Sequence, residues 1–149
     1  MTVRTIKKND AAPVAALLSQ TIAGGGHTTV SALTEALNTA QSIGLHWTDE
    51  RGTVGAIVGH CIANEAEIHE VGIAPFARRQ GLATALVGAF CRVAQQRGAA
   101  VCFLEVRANN TSAQHLYTHM GFEVCGRRKS YYSDGEDAVV MRRPLETDT

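Results

Sequence analysis

Hydrophobic and polar positions along this chain follow two periods, and the places where one gives way to the other mark the elements. Val3 to Ile6 reads as a short strand, after which Asp10 stands where it can cap a helix carrying Val14, Leu17 and Leu18 on one face. The stretch Thr21 to Thr29 contains Gly24-Gly25-Gly26-His27-Thr28-Thr29 and predicts a loop. A second short helix fits Ser31 to Ala40, with Val30, Leu33 and Leu37 along one side. Two strands follow, Gly44 to Thr48 and Val54 to Ala63, joined by a hairpin turn through Asp49-Glu50-Arg51-Gly52. Glu67 to Ala74 is expected to pair beside them.

The next segment, Ile68 to Val93, predicts a strand, a tight loop with the spacing Arg78-x-x-Gly81-x-Ala83, and a long amphipathic helix. Leu82, Leu86, Phe90 and Val93 recur on one face of that helix, and Gly98 stops it. Ala99 to Arg107 is the most continuously apolar run and is expected to be a central strand. Val101, Phe103, Glu105 and Arg107 fall on one face, Cys102, Leu104 and Val106 on the other. A helix from Thr111 to Met120, ended by Gly121, leads to a strand Phe122–Arg127, and a loop through Ser133-Asp134-Gly135 leads to a last strand, Ala138–Arg142. This order implies an α/β fold, a mixed sheet covered by helices on both faces, in one domain spanning 1–149.

Composition narrows the classes. The 149 residues are 45% hydrophobic, enough for one sizeable core. Fourteen basic residues balance fourteen acidic ones, so no electrostatic footprint for nucleic acid is expected. No signal-like or membrane-spanning apolar run occurs, and a cytoplasmic protein with no membrane association is expected. Cys61, Cys91, Cys102 and Cys125 are widely spaced and read as free thiols. His115 and His119 share a helix face, but Leu-Tyr-Thr lies between them and no third ligand is evident, so no metal is expected.

A strand that turns through a small-residue loop into a helix leaves several N–H groups at the helix start without acceptors, all aimed at one spot, where the helix dipole adds positive potential. Such a spot attracts phosphate. Taken alone, Arg78-x-x-Gly81-x-Ala83 is also compatible with a plain turn opening a helix. With Val71, Ile73 and Pro75 before it and the helical pattern after it, the segment resembles the GCN5-related N-acetyltransferases. That resemblance implies a single-domain fold with a mostly antiparallel mixed sheet of about six to seven strands and about four helices. It also implies acetyl-coenzyme A as acetyl donor, bound through the main chain of Val71, Gly72 and Ile73. Its pyrophosphate would lie on the loop Arg78, Arg79, Gln80, Gly81, Leu82, Ala83 and Thr84.

Glu105 lies in an apolar run, where an unpaired carboxylate is costly. Two readings fit: a pair with Arg107 or a helix N-terminus, or a general base. Asn110 reads as a helix cap or a ligand, and Tyr117 as a packed core tyrosine or a functional hydroxyl. The run from Glu105 to Arg143 resembles the bacterial ribosomal-protein-alanine N-acetyltransferases, whose pattern L-E-V-R-x-x-N, L-Y-x-x-x-G-F, R-x-x-Y-Y and G-E-D-A-x-x-M recurs here in order. The resemblance implies Glu105 as proton acceptor, Tyr117 as proton donor, and Asn110 as a further cofactor contact. Tyr131 and Tyr132 would position the acceptor, a protein N-terminus such as that of a ribosomal protein. Glu70, on the strand before the loop, is the competing base, and His69 a weaker one.

The chain departs from that family at Thr21–Thr29, where the relatives carry an aromatic, tryptophan-containing segment; Trp47 lies too far along to replace it. The departure bears on the acceptor, so a small amine, a polyamine or a lysine side chain stays open as the alternative. A non-catalytic acetyl-coenzyme A sensor is the alternative from another class. Arg127-Arg128-Lys129 reads as a solvated face. The oligomeric state is left open.

Overall fold

The alternating runs join into one seven-stranded sheet, seen in a computed structural model that describes residues 2–21, 29–78 and 81–145. The strands are β1 (Thr2–Thr5), β2 (Ser42–Asp49), β3 (Gly52–Ile62), β4 (Glu65–Ile73), β5 (Val101–Arg107), β6 (Glu123–Arg128) and β7 (Ala138–Pro144). Four helices accompany them: α1 (Ala11–Thr21), α2 (Val30–Leu37), α3 (Leu82–Gln96) and α4 (Thr111–His119). The strands lie in the order β1-β2-β3-β4-β5-β7-β6. All neighbouring pairs are antiparallel except β4–β5, which are joined across the sheet by α3.

Each face of the sheet has its own core. Ile57, Ile68, Leu104 and Met141 pack with Leu86, Val87 and Phe90 of α3, and Tyr117 and Met120 from the α4 segment join them. On the other face Val54, Ala56 and Val58 pack with Val14, Leu17 and Leu18 of α1 and Leu33 of α2. The alternation predicted for β5 is observed, with Cys102, Leu104 and Val106 buried and the intervening residues half-buried. Asp10 differs from expectation. It stands in a short 3-10 turn, Lys8–Asp10, and its carboxylate accepts the Lys7 N–H at 2.8 Å instead of an amide of α1. No helix among the described residues is long and apolar enough to cross a membrane.

Two irregularities open the sheet. The β3–β4 turn is tighter than the sequence pattern predicts: it consists of Ala63, with φ of 55°, and Asn64, so Ile62 pairs with Glu65 and His60 with Glu67. Further along, Val58 pairs with Glu70 but Gly59 with Ile68, which leaves His69 as an extra, bulged residue. The parallel pairing of β4 with β5 runs only from Glu65–Val101 to Ile68–Leu104. Beyond the bulge β4 keeps β3 as its neighbour while β5 keeps β7, with Glu105 opposite Val140 and Arg107 opposite Ala138. The sheet therefore splits between Val71–Ile73 and Glu105–Arg107.

Gly59 sits at the bulge because no side chain fits there. A Cβ would strike the carbonyl oxygen of Glu67 and approach the Phe90 ring to 2.7 Å. Gly59→Ala is expected to lower unfolding free energy in urea by about 1–3 kcal/mol, the usual range for overpacking. Gly88, inside α3, offers the contrast, since a Cβ there meets only the tip of Arg92 at 3.6 Å. Gly88→Ala should raise stability by up to about 1 kcal/mol in the same titration.

Candidate active site

One edge of the split is main chain. Ala74 donates its N–H to Val54 O at 2.8 Å, and the carbonyl of Ile73 accepts Arg78 Nε at 3.3 Å. Peptide groups alternate in direction along a strand. Val71 and Ile73 therefore aim their N–H and C=O groups into the split, and Gly72 aims its own toward β3. Of the three main-chain positions expected to meet a cofactor, the first and third face the opening.

The split leads to the start of α3. Pro75–Ala77 form a 3-10 turn after β4, and Gly81 occupies the N-cap of α3 with φ of 76°, a left-handed conformation that favours glycine. Gly81 has no side chain to cap the helix, and the first intrahelical bond runs from Ala85 N to Gly81 O at 3.0 Å. The amides of Leu82, Ala83 and Thr84 thus precede any intrahelical acceptor. Leu82 is buried and anchors the helix, whereas Gly81 and Thr84 are exposed. Arg78 is also exposed; Arg79 and Gln80 lie outside the described residues.

The opposite edge carries Glu105. Its side chain is only 16% exposed and its Oε1 lies 3.0 Å from Arg128 Nε. The same carboxylate holds the Tyr131 phenol above its ordinary value. The pairing with Arg107 considered from the sequence is not formed. Arg107 instead grips Asp134 at 2.9 Å and Glu136 at 2.8 Å, and its guanidinium lies 4.1 Å from the centre of the Tyr132 ring. Neither is Arg127-Arg128-Lys129 simply a solvated face: Arg127 Nε meets Asp137 at 2.8 Å and Arg128 covers Glu105.

The segment between β6 and β7 is lashed to β5 by these contacts. Glu136 accepts the Asn109 N–H at 3.1 Å, and Asp137 accepts the Ser130 N–H at 2.8 Å. The Ser130 amide and then Arg127 hold the Asp137 carboxyl below the usual carboxylate range; the Glu136 amide and Arg107 do the same for Asp134. The result presents Tyr131 and Tyr132, with rings 5.1 Å apart and nearly perpendicular, beside Glu105.

Tyr117 approaches from α4. It packs on the α3-side core with its ring 5.8 Å from Phe122, as a core tyrosine would. Burial, reinforced by Tyr132, pushes its hydroxyl up to about 12. Asn110 acts as the N-cap of α4, its Oδ1 accepting the Ala113 N–H at 3.1 Å. Glu70 is half-buried opposite Val58, on the face of the sheet that α1 and α2 cover. Most of the glycine-rich segment, residues 22–28, lies outside the described residues, while Thr29 caps α2 by accepting the Ala32 N–H at 3.0 Å.

One group of side chains was missed from the sequence. His60, Glu67 and His69 place their ligand atoms within 4.8 Å of one another. Only the two-residue turn at Ala63–Asn64 reveals that His60 and Glu67 are directly opposite. His115 and His119, the pair that the sequence did single out, are both exposed.

A model of the acetyltransferase (GNAT) family matches residues 14–122. The [ribosomal protein bS18]-alanine N-acetyltransferase of Escherichia coli strain K12 is 38% identical over 87 residues, 56% of this chain and 59% of that enzyme. The chain thus spans about three fifths of that relative's length. Among solved structures, the ribosomal-protein-S18-alanine N-acetyltransferase of Escherichia coli superposes with a TM-score of 0.88 at 24% identity, covering 99% of this chain and 96% of that one. Ard1 from Thermoplasma volcanium superposes at 0.87 with 26% identity and 97% coverage of both chains. The seven-stranded sheet, its split after Ile68 and the family match that spans both sides of it leave one conclusion: this chain belongs to the acetyltransferase (GNAT) family.

Proposed function

We propose that this chain is an acetyl-coenzyme A-dependent N-acetyltransferase whose acceptor is the α-amino group of a protein N-terminus, of the ribosomal-protein-alanine kind. The observation that carries the reading is the position of Glu105: a half-buried carboxylate at the edge of a split whose other edge presents the main chain of Val71 and Ile73. The likeness to enzymes named for a ribosomal alanine supports the acceptor class.

The cofactor's pantetheine arm would lie against β4, bonding the main chain of Val71 and Ile73 as an added strand does. Its pyrophosphate would sit on the amides of Leu82, Ala83 and Thr84, with Arg78 beside them and Arg79 and Gln80 completing the loop. Asn110, at the head of α4, is the further expected contact. Tyr131 and Tyr132 would flank the acceptor chain.

Glu105 is paired with Arg128. An incoming α-ammonium group offers the same charge-assisted contact and takes the guanidinium's place. Such an amine titrates near 7.7–8, so a carboxylate, directly or through one water, suffices to remove its proton. The freed lone pair attacks the thioester carbonyl, and the negative charge that develops on oxygen is met by an N–H of Val71 or Ile73.

Collapse of the tetrahedral intermediate breaks the C–S bond and expels the thiolate, the attacking nitrogen gives up its second proton to the sulfur directly or through water, and Tyr117 donates a hydrogen bond to the sulfur. Its hydroxyl sits at about 12, whereas a thiol of this kind titrates near 8.5. A phenol held that high favours a hydrogen bond to the sulfur over full proton transfer. Tyr117 acts as a hydrogen-bond donor that stabilises the departing sulfur while keeping its own proton.

Two substitutions test the assignment. Glu105→Gln should lower kcat by about 10²–10⁴-fold, with Glu70→Gln leaving kcat near that of the parent; the reverse result would move the base to Glu70. For Tyr117→Phe, kcat is expected to fall with little change in the KM for acetyl-coenzyme A. Because burial raises its value, Tyr117 stays protonated as pH rises and should contribute no descending limb below about pH 11. Unimpaired turnover of the phenylalanine variant would remove Tyr117 from the mechanism. Following free thiol with N-terminal peptides, lysine peptides and polyamines separates the acceptor classes, and silence with all of them would favour the sensor.

A further inference from the structure

We infer that His60, Glu67 and His69 form a binding site for a divalent transition-metal ion of the zinc class on the partly exposed stretch of β3 and β4 next to their turn. The strand pairing builds the group. The two-residue turn makes His60 and Glu67 direct cross-strand partners, and His69 is the bulged residue two positions further along β4. Their ligand atoms lie within 4.8 Å of one another, and His60 Nε2 is already 3.8 Å from Glu67 Oε2. The two imidazoles meet edge to face with centroids 4.6 Å apart.

Around an ion bound at about 2.0–2.2 Å in tetrahedral geometry, ligand atoms stand about 3.4 Å apart. Side-chain rotation of an ångström or so closes the group to that size. Two imidazoles and one carboxylate select zinc, cobalt or nickel over magnesium or calcium, which take oxygen ligands. The set supplies three ligands and leaves a fourth position for water.

One further observation fits. His60 and Glu67 also line a shallow depression together with Ile62, Asn64 and Phe103, which gives an ion a route in. His69 and Glu105 each follow the last matched pair of β4 and β5, Ile68–Leu104, and the site itself requires neither cofactor nor acceptor.

The test uses the whole chain without acetyl-coenzyme A, so it succeeds or fails independently of the acetyl-transfer reading. Titration with Co²⁺, read by its visible absorption, and with Zn²⁺, read by calorimetry, should each saturate at one ion per chain. His60→Ala and Glu67→Gln should each weaken binding by about tenfold or more, the scale on which metal-site residues matter. Zn²⁺ should also raise the unfolding temperature of the parent chain and not of Glu67→Gln, a near-isosteric change that guards against a simple folding defect. The His115→Ala/His119→Ala double variant and Cys125→Ser should bind as the parent does. Absence of saturation would overturn the site, as would loss of binding in these last variants with retention in His60→Ala and Glu67→Gln.

Discussion

Everything at the site depends on where β4 and β5 stop pairing. Four residues of each strand match, from Glu65–Val101 to Ile68–Leu104, and the bulge at His69 then turns β4 away. A closed parallel pair would consume the peptide groups of Val71 and Ile73 and place Glu105 inside a continuous sheet. The split instead leaves those groups aimed at an opening with a carboxylate across from them. Gly59 is what permits the bulge, because the Glu67 carbonyl and the Phe90 ring occupy the space a side chain would need.

A second constraint orients the other side of the opening. The segment between β6 and β7 contains no regular structure of its own from 131 to 137, and it is held by charges. Arg107 binds Asp134 and Glu136, Asn109 adds its amide to Glu136, and Asp137 gathers Arg127 and the Ser130 amide. Buried area contributes little there, so geometry must come from directed, charge-assisted bonds. This explains why the G-E-D-A stretch accompanies the paired tyrosines: its acids tie down the loop that presents them. It also explains why Glu105 takes Arg128, since Arg107 is already engaged by two carboxylates.

Much of this was legible in advance. The β5 alternation, the α3 stripe at Leu86, Phe90 and Val93, Gly98 as a helix stop, the Asp49–Gly52 turn and the Asn110 cap all follow from local rules, because each depends on neighbours within a few residues; Leu82, expected on the same stripe, packs instead with the α1-side core. Strand ends were less legible: the run Val54–Ala63 and the run Glu67–Ala74 hide the turn between them, since Ala63 carries no turn signature and yet adopts φ of 55°. That small shift decides which residues of β3 and β4 face each other. With it went a cluster that the sequence did not reveal, His60, Glu67 and His69.

The sequence by itself determined most of the strands and helices, their order and the glycine that opens α3, because these rest on periodicity and short-range spacing. Tertiary structure alone decided that Arg128, 23 residues further on, covers Glu105, that Arg107 serves the loop, and that Tyr117 is buried enough to be pushed to about 12. Each of those outcomes turns on which of several like-charged or like-shaped partners comes within a few ångströms, and only the register of β5 with β7 and β6 settles that distance.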